Sequence, residues 1–144
     1  MKKSILLLCG VLLVAAIGGC ETAKRFMGTS IAHLETAREE AMTMSFDCPF
    51  ADCFDSVLTL SRNEYMGDSL SGEKPFETFQ KDRVRGYIVV MGISGNIDTT
   101  EVGIFFIELP NGVRIEISSL STAAKEKVAK AIFRELSLKF NRLP

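Results

Sequence analysis

The chain has 144 residues, with 17 basic and 18 acidic side chains and one histidine. That length supports one domain with a modest core and excludes two comfortable ones. A formal charge of −1 lacks the basic excess needed to neutralise phosphates, so no nucleic-acid partner is expected.

Lys2 and Lys3 are followed by an uncharged apolar run over residues 5–17 and then by Ile17-Gly18-Gly19-Cys20. The run is shorter than the roughly 20 residues of a spanning helix. It also lacks the A-x-A-like site of an ordinary secretory signal. Cys9 follows the large Leu8, whereas Cys20 follows two glycines. These residues resemble the lipobox of bacterial lipoproteins, and the resemblance covers only the first 20 positions. It implies cleavage before Cys20, acylation of its sulfur and a place in the cell envelope facing the periplasm. The expected organisation is a signal peptide over 1–19, a tether over 20–29 and one α+β domain over 30–144.

Removing 1–19 from 144 residues leaves 125, and losing Lys2 and Lys3 leaves 15 basic against 18 acidic residues. The mature charge of −3 offers no polybasic patch for anionic lipid. Acyl chains on Cys20 would then carry the attachment, at about 0.8 kcal/mol per buried CH₂. By resemblance to the same class, Glu21 does not match the Asp that retains lipoproteins in the inner membrane, so the outer membrane is preferred.

Residues 30–41 predict a helix capped by Thr29 or Ser30, with Ile31, Leu34 and Arg38 at helical spacing. Its few apolar residues mean it must lean on the domain or on a partner. Residues 43–46 alternate as a short strand. Pro49 suits a first helical position, and Phe50, Cys53, Phe54, Val57 and Leu58 give a helix over about 49–62 its apolar face. Gly67, Gly72 and Pro75 punctuate a polar stretch with one weak strand near 76–79.

The sheet is the clearest part. Strands are expected over 84–93, 102–109 and 113–118. Pro110-Asn111-Gly112 predicts a three-residue hairpin loop with Gly112 in a bulge. That loop pairs Leu109 with Val113, Ile107 with Ile115, Phe105 with Ile117 and Glu108 with Arg114. Residues 121–140 close the domain as its longest helix, with Ser119 or Ser121 as cap and Lys125, Glu126, Lys127 and Lys130 toward water. The predicted fold is an α+β two-layer sandwich, an antiparallel sheet of three to four strands with helices on one face. In element order it is similar to small periplasmic lipoprotein domains, including the helix-grip domains of outer-membrane assembly lipoproteins. That resemblance implies no site residue.

Cys48 and Cys53 are expected as a disulfide in an oxidising compartment, with free thiols as the alternative. Their Cys-x₄-Cys spacing departs from the usual redox motif, and only His33 could join them at zinc without carboxylates. His33 is otherwise read as a surface residue. The Gly92 to Asn96 loop precedes a strand and so fails as a phosphate loop. Asp98, Thr99, Thr100 and Glu101 lack the alternation of a calcium loop. No motif assembles a catalytic group, a metal set or a cofactor site.

Residues 104–107 are apolar on both strand faces, although a sheet with helices on one side should leave the other polar. Either the N-terminal helix covers the second face or that face binds a partner. The face carrying Ile104 and Phe106 is the candidate interaction surface. The leading expectation is a lipid-anchored, non-catalytic protein that binds an envelope component or aids assembly. A carrier of a small hydrophobic ligand is the alternative, and an enzyme has the least support.

Overall fold

The computed structural model describes residues 31–61, 74–93 and 100–144. The chain divides into Met1–His33 and Leu34–Pro144. The signal peptide, the tether and Cys20 lie outside the described residues, and of the first unit only the helical residues 31–33 are described.

The second unit is α+β. Residues 34–36 are helical and run into a 3₁₀ helix, Ala37–Glu40. Strand β1 (Met42–Asp47), helix α1 (Phe50–Thr59), strands β2 (Glu77–Asp82), β3 (Tyr87–Met91), β4 (Val102–Leu109) and β5 (Gly112–Ser118), helix α2 (Thr122–Lys139) and strand β6 (Asn141–Arg142) follow. All strand pairs are antiparallel, in the order β2-β3-β4-β5-β1-β6. Among the described residues the sheet therefore has six strands, more than the three to four expected. The weak strand near 76–79 is a full edge strand. The last residues, expected only to follow a helix to Phe140, turn back to pair Arg142 with Phe46 and Asn141 with Asp47.

Pro49 is extended and forms the cap position of α1, so the helix starts one residue later than the proline-first reading. Helix α2 starts as expected: the Ser121 hydroxyl accepts a hydrogen bond from the Ala124 amide at 3.3 Å and satisfies one of the first-turn donors. Both helices pack on one sheet face. Phe46 from β1, Ile88 and Val90 from β3, Val102, Ile104 and Phe106 from β4, and Val113, Ile115 and Ile117 from β5 meet Phe54, Val57, Val128, Ile132 and Leu136 in one core. Phe106 lies 4.9 Å from Phe54 and 6.0 Å from Phe50 between ring centroids, the offset and edge contacts that aromatic quadrupoles favour.

The β4–β5 hairpin differs from expectation by one residue. Leu109 pairs with Gly112, so the loop is Pro110-Asn111, with Phe106 opposite Ile115 and Ile104 opposite Ile117. Phe105 then faces Glu116, and Ile107 faces Arg114. The physical reason is that β4 is apolar on both faces, so a one-residue slip exchanges one apolar set for another and alternation does not choose between them. Packing chooses. A Cβ on Gly103 would lie 2.8 Å from the Phe105 ring and 3.3 Å from the Leu34 Cβ. The glycine thus belongs on the face where Leu34 docks, and Ile104 and Phe106 take the helix face.

Gly112, at φ +153°, sits where a Cβ would collide with the Phe46 carbonyl oxygen of β1. Gly112→Ala should therefore lower the unfolding free energy by about 2 kcal/mol or more, from overpacking against backbone that cannot yield. Chemical denaturation measures this, and an unchanged midpoint would contradict the register described here.

Candidate functional site

The sheet face opposite the two helices is covered by residues 34–40. Leu34 is buried, and its carbonyl oxygen accepts a hydrogen bond from the Ser118 hydroxyl at 2.8 Å. One turn later the Arg38 guanidinium lies 4.6 Å from the centre of the Phe105 ring. Its Nε and Nη2 donate to Glu116 Oε2 at 2.8 and 2.6 Å. The other carboxylate oxygen of Glu116 accepts from Arg114 Nε at 3.0 Å. At the last residue of the 3₁₀ helix, Lys125 Nζ donates to the Glu40 carbonyl oxygen at 2.6 Å. Charge-assisted bonds on both carboxylate oxygens, with one guanidinium stacked on an aromatic ring, fix residues 34–40 as a strap across the sheet. The helical spacing of Leu34 and Arg38 marked the docking face of this strap in the sequence. Its target, Glu116, carried no signal, because the expected register paired Arg114 with Glu108.

A second arrangement of the same kind holds the β2–β3 turn. Arg83 lies 4.9 Å from the centre of the Phe54 ring and pairs with Asp55 on α1. Both charged partners are about half exposed, so this pair is worth less than the strap's.

Of the expected site residues, Cys20 lies outside the described part. Cys48 and Cys53 form a disulfide, with both residues buried and Cα atoms 6.2 Å apart. It ties the chain after β1 to the first turn of α1. Ile104 is fully buried and Phe106 is 6% exposed, both in the core between sheet and helices. The face carrying them is not an accessible surface, which corrects the expectation. The strap reaches Phe105, on the other face of the same strand. His33 is exposed and helical, and most of the loop after Gly92 lies outside the described residues. Among the described residues no cluster of three or more His, Cys, Asp or Glu could hold a metal. No described helix is long and apolar enough to cross a membrane.

A groove of about 260 Å³ runs along the outer side of α2, lined by Pro75, Ile93, Lys127, Lys130, Ala131 and Arg134. The three cations recur at i, i+3 and i+7, which places them on one helical stripe. Leu138 continues that stripe and is 76% exposed. The water-facing reading of residues 125–130 holds for Glu126, Lys127 and Lys130 but fails for Lys125, which is buried. Its alkyl stem packs while its ammonium reaches the strap.

The chain matches no known family, and it is similar to no curated protein and to no solved structure.

Arg38→Ala should destabilise the domain by about 1–2 kcal/mol, because Glu116 keeps Arg114 as a partner. Arg38→Lys should lose most of the same amount, since an ammonium neither stacks flat nor bonds through two nitrogens. Denaturation midpoints together with hydrogen exchange over 34–40 measure both, and a lysine variant as stable as wild type would reduce the strap to simple charge. Replacing Cys48 and Cys53 together by Ala should remove at most about 2 kcal/mol, the value for so short a loop. Reduction of the wild-type protein should shift its midpoint comparably, and an unmoved midpoint would argue against the bond.

Proposed function

We propose that this chain is a lipid-anchored protein of the bacterial cell envelope whose α+β domain binds another envelope component or aids assembly rather than catalysing a reaction. The observation that carries this reading is the sequence Ile17-Gly18-Gly19-Cys20 behind a short, uncharged apolar run. The buried Cys48–Cys53 disulfide supports it, since such bonds persist in oxidising compartments outside the cytoplasm. Leu34 lies 14 positions after Cys20 (34 − 20), a distance of at most about 50 Å even fully extended. The domain would work within that distance of its bilayer. Glu21 favours the outer membrane over the inner.

Burial of Ile104 and Phe106 moves the partner surface elsewhere on the domain. A carrier of a small hydrophobic ligand, held between sheet and α2, is the alternative.

Intact-mass measurement of protein extracted from membranes tests the anchor. The expected mass is that of residues 20–144 plus acyl groups, and Cys20→Ala should yield an unacylated chain that retains residues 1–19. A wild-type chain starting at Met1 without added lipid would overturn the reading.

A further inference from the structure

Residues 34–40 cover a seat that keeps its own supports without them. Tyr87, Val89, Gly103 and Phe105 share the sheet face under the strap. The hydrophobic core that joins the sheet to the two α-helices includes neither Leu34 nor the buried Tyr87, Val89 and Phe105. Lifting the strap therefore leaves that core closed. Glu116 keeps its bond from Arg114 on Oε1 at 3.0 Å, so its carboxylate retains a cation. Tyr87 stays 6.4 Å from Phe105 between ring centroids, and its hydroxyl accepts from Gln80 Nε2 at 3.0 Å. The strap, by contrast, contributes little area: Leu34 is buried, but the 3₁₀ helix Ala37–Glu40 buries no residue. A segment with one buried apolar side chain, held otherwise by polar bonds, belongs to the part of a fold that opens first.

The seat selects a particular chemistry. Gly103 leaves room for one apolar side chain, since a Cβ there would lie 3.3 Å from the Leu34 Cβ. The Phe105 ring and the Glu116 carboxylate together take one guanidinium, which stacks and bonds through two nitrogens at once. Ser118 and Lys125 donate to backbone carbonyls and so make no demand on sequence. We infer that the sheet face under the strap is a binding site for a helical segment of another protein carrying leucine and, four residues on, arginine. The chain's own strap fills that site at rest and is thereby an autoinhibitory contact. The inference rests on the reading above that the domain binds an envelope component. Ala41 alone separates the strap from β1, which sets its effective concentration in the millimolar range, on the order of that for short linkers. A second copy's strap would make the same contacts and lose that advantage. A partner must bring contacts that the strap lacks, and residues 37–40, none of them buried, leave room for them.

The test uses the full chain and, as probe, a fluorescent synthetic peptide of residues 31–41. Leu34→Asp combined with Arg38→Glu in the protein removes the apolar anchor and sets a carboxylate against Glu116, while every residue of the seat is unchanged. Fluorescence anisotropy should show the wild-type peptide binding this variant about tenfold or more tighter than the wild-type protein, whose seat is filled in cis. An Arg38→Lys peptide should bind the variant about tenfold more weakly, a distinction that a merely apolar patch would not make. Amide shifts at Gly103, Phe105 and Ser118 locate the peptide. In the wild-type protein, amides of 34–40 should exchange about a hundredfold or more faster than those of Ile104 and Ile115, a readout that needs no variant. Equal exchange, equal affinity for variant and wild type, or no preference for arginine overturns the inference. So does a wild-type dimer that the peptide dissociates, which would make the site one for a second copy. Intact mass of the same preparation reports acylation of Cys20 separately, so failure of the anchor and failure of the site give different results.

Discussion

A strand with large apolar side chains on both faces has to be covered twice, and this requirement organises the domain. Strand β4 sends Val102, Ile104 and Phe106 one way and Phe105 the other, and all four are buried. The two α-helices answer the first set. They are amphipathic, they follow their strands closely, and each can bury only one stripe. The core that the helices form takes in Ile104 and Phe106 but not Phe105. Its cover comes from the other end of the chain, through a segment too short and too polar to hold itself together. The sheet stays a single layer because a strap replaces what would otherwise be a second layer of helices.

The strap holds by chemistry suited to so small a contact area. Leu34 is its one fully buried apolar residue, and hydrophobic area alone would not fix seven residues against their conformational entropy. Arg38 solves the problem by serving two partners with one planar group, a ring face and a carboxylate. Glu116, nearly buried, is safe there only because guanidinium groups occupy both its oxygens. Lys125 and Ser118 satisfy carbonyl groups at the two ends of the segment. The recurrence of arginine, aromatic ring and carboxylate at Arg83, Phe54 and Asp55 on the opposite layer shows the same solution applied to a turn.

How much of this was legible in the sequence depended on range. The helix face at Phe50, Cys53, Phe54, Val57 and Leu58, the Ser121 cap and the alternation from Val113 to Ile117 are local patterns, and they read correctly. Strand β6 is two residues long and has no periodicity to read. The hairpin register failed because Ile104 through Ile107 satisfies either face, and the deciding fact was the space Gly103 leaves for Leu34, some 70 positions away. The same limit misplaced the candidate surface. Phe106 and Phe105 are neighbours of equal hydropathy, and only the tertiary partner says which is core. The groove on α2 was hidden for a different reason: Lys127 and Lys130 read as ordinary solvated positions, and Pro75 and Ile93 beside them come from distant parts of the chain.

The bonds that seat the strap join residues 78, 84 and 85 positions apart. Synthesis from the N-terminus delivers residues 34–40 long before Glu116, Ser118 and Lys125. Until those three arrive, the strap has no seat and gives the Phe105 face of β4 no cover. Closure of that face is thereby a late event of folding, set by topology alone.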